Sequence, residues 1–352
     1  MKAWENNIRK VIPYTPGEQP NQPDMIKLNT NENPYPPAPG VKHVLEHMDT
    51  DALRLYPDPT CGELVRAIAE VNGLKEDQVF VGVGSDDVLA MSFMTFFNSE
   101  KPILFPDITY SFYDVWAELF RIPYERPMLD EHFHIRKEDY RRDNGGIVIA
   151  NPNAPTGVEM NQSELEEIIA SNQDVIVIVD EAYVDFGAKT VLPLIEKYEN
   201  LLVVQTFSKS RSMAGMRIGV AFGNPVLIKY LNDVKYSYNS YTMDRTALAA
   251  GVEAVKDVEY FKETCDKIIA TREWTKQELK SLGFTFGDSK TNFIFAEHKE
   301  VPAEKLFQAL REKHIYVRYF PKGRTHNHLR ITIGTQKEME TLISFLKEYL
   351  AQ

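Results

Sequence analysis

Lys209 ends the apolar run "LLVVQTFSKS", with hydroxyls at Thr206 and Ser208 and guanidinium groups at Arg211 and Arg217 close behind. A lysine in this company can be a surface charge, a phosphate clamp or, once desolvated, an amine nucleophile toward a carbonyl. A second run, "VIVIVDEAY", ends in Asp180, Glu181 and Tyr183. Polar groups at the carboxyl end of a buried strand are where open α/β sheets hold ligands. An Asp-Glu pair could bind a metal there. Alternatively, the carboxylate could hold a proton on a ring nitrogen while the phenol donates to a ring oxygen. A third stretch, "VGVGSDDV", has Gly82 and Gly84 between a strand and a helix. Asp87 stands where a dinucleotide fingerprint needs its third glycine, and its charge would repel a pyrophosphate. The N–H groups of Gly84, Ser85 and Asp86 still suit a single phosphate.

Together with Tyr110 in "PDITYSFY", these residues meet the requirements of pyridoxal 5′-phosphate. Lys209 would form the imine, Asp180 would face the ring nitrogen, Tyr183 would face the ring oxygen and Tyr110 would stack on the ring. Ser85, Asp86, Thr206, Ser208 and Arg217 would form the phosphate cup, with Arg217 able to bind it bidentately.

The elements that must position these groups are legible as alternating runs. Strands are expected at "DQVFVGVG", "KPILFP", "GIVIANP", "DVIVIVDEAY", "LLVVQTFSKS" and "RIGVAFG". Helices are expected at "GELVRAIAEVNG", "SDDVLAMSFMTFF" (opened by Ser85 and Asp86 as caps), "SFYDVWAELF" and "SELEEIIASN". Short β-branched runs alternating with helices predict an α/β domain with a mostly parallel, doubly covered sheet. After residue 245 the rhythm changes to a long helix over 245–281, interrupted near Asp257, then strands at "TNFIFAE", "IYVRYF" and "HLRITIG" between helices. That pattern predicts a smaller α+β domain. The expected division is 1–45 for an arm and part of the small domain, 46–245 for the large domain and 246–352 for the small domain. Tyr14, Leu28 and Tyr35 within the Pro- and Asn-rich start point to an ordered arm with a short helix near residues 3–9.

The chain has 352 residues and a formal net charge of −11, which argues against nucleic acid and anionic membranes as partners. Its 2 cysteines, Cys61 and Cys265, support neither a disulfide framework nor a thiolate zinc site. With no signal-like apolar start and no membrane-length apolar run, a cytoplasmic location is expected. His326 and His328 in "GRTHNHLR" lack an evident third ligand, so no metal site is expected. "DEHFHIRKEDYRRD" reads as a solvated face, and Arg211 has no role on this reading.

The motifs "NPNAPTG", "DEAY" and "TFSKSRSMAGMRIG" resemble aminotransferases of the type I pyridoxal-phosphate fold. "PYTPG", "LNTNENPYP", "LRLYPDPT", "VGVGSDD" and "HLRITIG" narrow the resemblance to the histidinol-phosphate aminotransferase family, from Pro13 to about Gly334. The resemblance implies transamination of histidinol phosphate with 2-oxoglutarate, in histidine biosynthesis, by a homodimer with shared active sites. It matches Lys209, Asp180, Tyr183 and Tyr110 to the family's cofactor residues. It assigns Tyr56 to the phosphate of the partner subunit's cofactor, and Tyr14, Asn31, Arg318 and Arg330 to substrate. Transfer to aromatic amino acids, or decarboxylation of a phosphorylated amino acid, are the alternatives. One position departs from the pattern. The family commonly has Asn before "PTG", touching the cofactor's ring oxygen, and here Ala154 stands there. Asn151 or Asn153 would take its place, or Tyr183 would act alone.

Overall fold

The central strands carry apolar residues on both faces, and the computed structural model, which describes residues 2–351, shows why. Ile147, Ile149, Val177, Val179, Leu201 and Val203 enter one buried cluster, while Val148, Ile178, Leu202 and Val204 enter another on the opposite side of the same sheet. Side chains alternate along a strand, so a continuous apolar run needs cover on both faces. Each such Val, Leu or Ile contributes roughly 1.5–3 kcal/mol when fully buried.

Twelve strands occur in chain order among the described residues: β1 (Ile26–Leu28), β2 (Val79–Gly82), β3 (Ile103–Leu104), β4 (Tyr124–Glu125), β5 (Ile147–Ala150), β6 (Val177–Asp180), β7 (Leu201–Thr206), β8 (Gly219–Gly223), β9 (Phe284–Phe286), β10 (Phe293–His298), β11 (Ile315–Tyr319) and β12 (Leu329–Thr332). The larger sheet runs β2-β8-β7-β6-β5-β3-β4. Strand β8 is antiparallel to both neighbours, and every other pairing is parallel. The smaller sheet runs β1-β11-β12-β10-β9, and only its β1–β11 pair is parallel. Leu28 of the arm therefore joins the core of the smaller sheet with Ile294, Val317, Leu329 and Ile331.

Local chemistry sets the boundaries. The expected long helix is two helices, Arg245–Lys256 and Val258–Ser281. Asp257 separates them, and its carboxylate accepts the Tyr260 N–H at 3.1 Å as an N-cap. The helix after β2 begins at Gly84, and Ser85 and Asp86 do not cap it. Asp87 Oδ2 accepts the Val83 N–H at 2.9 Å instead. The charge that disfavours a pyrophosphate is thus folded back against its own turn.

The arm is ordered and spans both sheets' territories. Arg9 donates to Leu119 O, Tyr14 stacks on Phe112 with ring centroids 4.2 Å apart, and Glu18 pairs with Arg311 at 2.7 Å. "DEHFH" is not simply solvated. Phe133 packs edge-on to Phe295 at 5.7 Å and His328 at 5.3 Å, joining two loops that read as unrelated in sequence.

Candidate active site

Register brings the sequence-predicted residues to one end of the larger sheet. Ala150 of β5 lies beside Asp180 of β6, and Thr206 of β7 lies beside Gly219 of β8, which in turn faces Gly82 of β2. Chain turns leave the carboxyl ends of β2, β5, β6 and β7 on the same side. They enclose a cavity of about 150 Å³. Ser85, Asp86, Tyr110, Asp180, Tyr183, Thr206, Ser208, Lys209 and Arg217 line it, together with Ala154.

Two glycines permit the close approach at the phosphate end. Gly84 has φ +82°, and a Cβ there would sit 2.5 Å from Arg217 Nη2. A Cβ on Gly219 would lie 2.4 Å from the Ser85 nitrogen. Only glycine lets β8 pass directly under the first turn of the Gly84–Phe96 helix, with Arg217 folded over it. Thr206 Oγ1 donates to Ser208 Oγ at 3.0 Å and accepts the Ser208 N–H at 3.1 Å. Asp86 bridges Tyr110, whose hydroxyl donates to Oδ1 at 2.7 Å, and Arg217, which approaches Oδ2 at 3.3 Å. Hydroxyls, a guanidinium and a helix N-terminus converging on one cradle form the donor set a phosphate monoester needs.

Asp180 lies at the opposite end. Its carboxylate accepts the Tyr113 hydroxyl at 2.7 Å and the Ala182 N–H at 3.1 Å. Burial is the main influence on it and raises its pKa from 3.8 to about 6, against the lowering effect of those two bonds. A buried carboxylate of this kind favours a cationic partner such as a protonated ring nitrogen. Tyr113 was not singled out in the sequence. It follows Tyr110 by three residues in "TYSFY", and that spacing could have suggested it. Lys209 Nζ donates to Thr30 O at 3.2 Å and lies 5.9 Å from the centre of the Tyr183 ring.

Several expected residues lie elsewhere. The Asn153 amide does not reach the cavity, because it donates to Ile108 O at 2.9 Å and Thr156 Oγ1 at 3.0 Å and accepts from Thr109 at 2.8 Å. The Asn151 amide is bonded to Met160, donating to its O at 3.2 Å and accepting its N–H at 2.8 Å. Neither asparagine stands in for Ala154. Asn31 is 1% exposed and its Nδ2 donates to the Tyr183 hydroxyl at 2.8 Å, so its amide faces Tyr183 rather than open solvent. Tyr56 is 79% exposed and packs on Tyr241 at 4.6 Å, outside the cavity of its own chain. Arg211 has a structural role: it donates to Ala254 O at 2.6 Å and lies 4.2 Å from the Phe261 ring centre.

Arg318 and Arg330 are direct cross-strand partners on β11 and β12. Arg330 Nη2 donates to Asn29 O at 3.1 Å, while its buried Nε has no hydrogen-bond partner. Loss of hydration makes Arg330 hold its proton less tightly than an ordinary arginine. Arg330 and Tyr183 both pack on Phe293, at 5.3 and 5.1 Å, which sets this arginine pair beside the cavity's Tyr183 wall. Among the described residues no carboxylate forms an ion pair with either arginine.

Glu181, next to Asp180, faces away and accepts from Thr190, Val191 N–H and Gln205 at 2.7, 2.6 and 2.9 Å. Burial nevertheless raises it from 4.5 to about 7. Asp180 and Glu181 both bind a proton more tightly folded than unfolded. Their stabilising contribution is therefore complete below about pH 4 and is lost as pH rises through about 6 to 7. For each this is worth on the order of 3 kcal/mol. The cofactor-free protein should show a Tm that falls between about pH 5 and pH 8, and Glu181→Gln should make that fall shallower in calorimetric scans. A slope identical to that of the wild type would contradict the assignment.

A lysine, an aspartate and hydroxyl, guanidinium and helix N–H donors at the carboxyl edge of the larger sheet suit a pyridoxal-phosphate enzyme, and residues 23–346 match the family described as aminotransferase class I and II. The chain belongs to that family, which uses pyridoxal phosphate. It is 54% identical over 348 residues to a histidinol-phosphate aminotransferase of Lactococcus lactis subsp. cremoris, covering 99% of this chain and 98% of the relative. It is 49% identical over 349 residues to that of Clostridium botulinum, covering 99% of both. The fold matches the crystal structure of histidinol-phosphate aminotransferase from Sinorhizobium meliloti in complex with pyridoxal-5′-phosphate. The TM-score is 0.83 at 21% identity, over 93% of this chain and 91% of that one. Among the described residues no helix is long and apolar enough to cross a membrane, and no group of three or more His, Cys, Asp or Glu is placed to hold a metal ion.

Proposed function

We propose that the protein transaminates histidinol phosphate with 2-oxoglutarate, and the observation that carries this is the Arg318–Arg330 pair. Like charges directly opposite on neighbouring strands are destabilising. Two facing guanidinium groups, one with an unpartnered Nε, favour an anion between them. A phosphate monoester and a side-chain carboxylate both satisfy that demand. One pocket can therefore take the two amino donors in turn. Identity of about half over 99% of the chain to histidinol-phosphate aminotransferases of Lactococcus lactis and Clostridium botulinum supports the same choice.

Pyridoxal phosphate, when bound, supplies an electron sink conjugated to the substrate's α-carbon. The chain's residues would do the rest. Lys209 would anchor the cofactor and carry a proton from the substrate's α-carbon. Asp180, oriented by Tyr113, would keep a proton on the ring nitrogen. Tyr183 would donate to the ring oxygen and Tyr110 would lie against the ring face. Thr206, Ser208, Arg217 and the N–H groups of Ser85 and Asp86 would hold the phosphate. Tyr14 and Phe112, stacked with ring centroids 4.2 Å apart, lie beside the cavity's Tyr110, whose ring centre is 5.5 Å from Phe112, and would offer aromatic surface to an imidazole.

The functional unit we infer is a homodimer. Leu53, Leu55, Tyr56, Tyr238 and Tyr241 are exposed apolar or aromatic side chains, and Tyr56 packs on Tyr241 at 4.6 Å. A second copy seated there would take Tyr56 toward its own phosphate cradle. The division we propose is 1–45 as arm and part of the small domain, 46–245 as large domain and 246–352 as small domain.

Stopped-flow half-reactions with histidinol phosphate, phenylalanine and tyrosine test the substrate. Histidinol phosphate should react with the largest rate constant per KM. Arg330→Ala should cut that value by about 10²-fold, the loss of one or two charge-assisted hydrogen bonds, and affect phenylalanine less. A preference for phenylalanine would overturn the proposal.

A further inference from the structure

We propose that Asn31 is a positioning residue that sets the hydrogen-bond polarity of Tyr183 and so does for this chain what an asparagine at position 154 would do directly. The inference rests on the reading of the cavity as a cofactor site.

Three observations carry it. First, the loop that should supply an amide does not. Ala154 presents a methyl group to the cavity, and the amides of Asn151 and Asn153 are bonded elsewhere. Second, Asn31 is locked. Its N–H donates to Thr332 Oγ1 at 3.1 Å, its carbonyl accepts from Asn292 Nδ2 at 2.9 Å, and its Oδ1 accepts from the Thr332 hydroxyl at 3.0 Å. Its φ is +58°, a left-handed conformation that asparagine tolerates far better than most residues. Third, the direction of the bonds is fixed. With Oδ1 turned to Thr332, only Nδ2 can face Tyr183, and it donates to the phenol oxygen at 2.8 Å.

A phenol that accepts one hydrogen bond is a stronger donor of its own, because chained hydrogen bonds polarise one another. Tyr183 cannot donate to Nδ2, so its proton is directed to the cavity. The relay runs from Thr332 on β12 through Asn31 to Tyr183, and ends on an anionic ring oxygen of the cofactor. It couples the smaller sheet to the cofactor through side chains that are themselves almost wholly buried, Asn31 and Thr332 both being 1% exposed.

The test is a pH titration of the visible absorption of the cofactor-loaded protein. Asn31→Asp keeps the shape and the tolerance of positive φ but reverses the polarity. A carboxylate accepts the Tyr183 proton and withdraws it from the ring oxygen. That oxygen then holds its shared proton more tightly, so the protonated form persists to higher pH. The midpoint should rise by about one unit, the size of one lost hydrogen bond to a charged group. Adding Ala154→Asn should return it toward the wild-type value. Thr332→Val should raise the midpoint in the same direction by a smaller amount, and it serves if Asn31→Asp does not load. An unchanged midpoint in a variant that retains its visible band overturns the proposal. A wild-type protein with no visible band overturns the cofactor reading itself.

Discussion

Lys209→Ala is expected to lose the visible absorption of the loaded protein and to transfer amino groups at least 10⁴-fold more slowly than the wild type. Among the described residues Lys209 is the only lysine that lines the cavity, and it follows β7 where that strand leaves the sheet, with Asp180 and Tyr183 in the same lining. No other amine there can anchor an aldehyde or carry the α-proton. The fold should survive the change. The lysine side chain makes one hydrogen bond, to Thr30 O at 3.2 Å, and no ion pair among the described residues, while the bonds to its carbonyl are kept by alanine. The cofactor-free Tm should therefore move by little, since substitutions outside a packed core or a buried network usually shift stability only slightly. Added small primary amines should restore part of the proton transfer. Retention of transfer near the wild-type rate would contradict the role of Lys209. A large fall in the cofactor-free Tm would instead make the lysine a structural residue.

Asp180→Asn should have two effects. Transfer should fall by about 10²–10³-fold, because the amide cannot hold a proton on the ring nitrogen by charge. Raising the pH from 4 to 8 should cost the cofactor-free variant less stability than it costs the wild type, by on the order of 2 kcal/mol, because a carboxylate raised to about 6 by burial is no longer forced to ionise there. The Tyr113 hydroxyl and the Ala182 N–H bond different oxygens of the carboxylate, so the amide leaves one of these donors without an acceptor, a loss of about 1–3 kcal/mol that is the same at every pH. A general packing defect would lower Tm without changing its pH dependence. Paired measurement of Tm at pH 4 and pH 8 and of the half-reaction rate separates the explanations. An unchanged pH dependence of Tm, or a rate within tenfold of the wild type, would contradict the account.

What could be read in the sequence was set by local pattern. Apolar runs ending in Asp180 and Lys209 announced buried strands whose carboxyl ends share a cavity, and strand alternation places both faces of β5, β6 and β7 in core. Side-chain direction was not legible. Asn153 and Asn31 are both asparagines in suggestive motifs, yet one amide holds a loop and the other faces Tyr183. That difference is decided by partners about 45 and 152 residues away in sequence. The cap of the Gly84–Phe96 helix was missed for a related reason. Ser85 and Asp86 are good cap residues, but the turn begins one residue earlier and Asp87 reaches back to it. Likewise, Phe133 lies in a segment that reads as solvated, and it meets His328, far away in sequence, only because the two loops close on one another.

The central claim is that the cavity at the carboxyl edge of the larger sheet holds pyridoxal phosphate through Lys209. Borohydride reduction of the loaded protein followed by peptide mass spectrometry tests it most directly. The account predicts one reduced pyridoxyl adduct per chain, on the peptide containing Lys209. An adduct on another lysine, or none on a protein that retains bound cofactor, would contradict it.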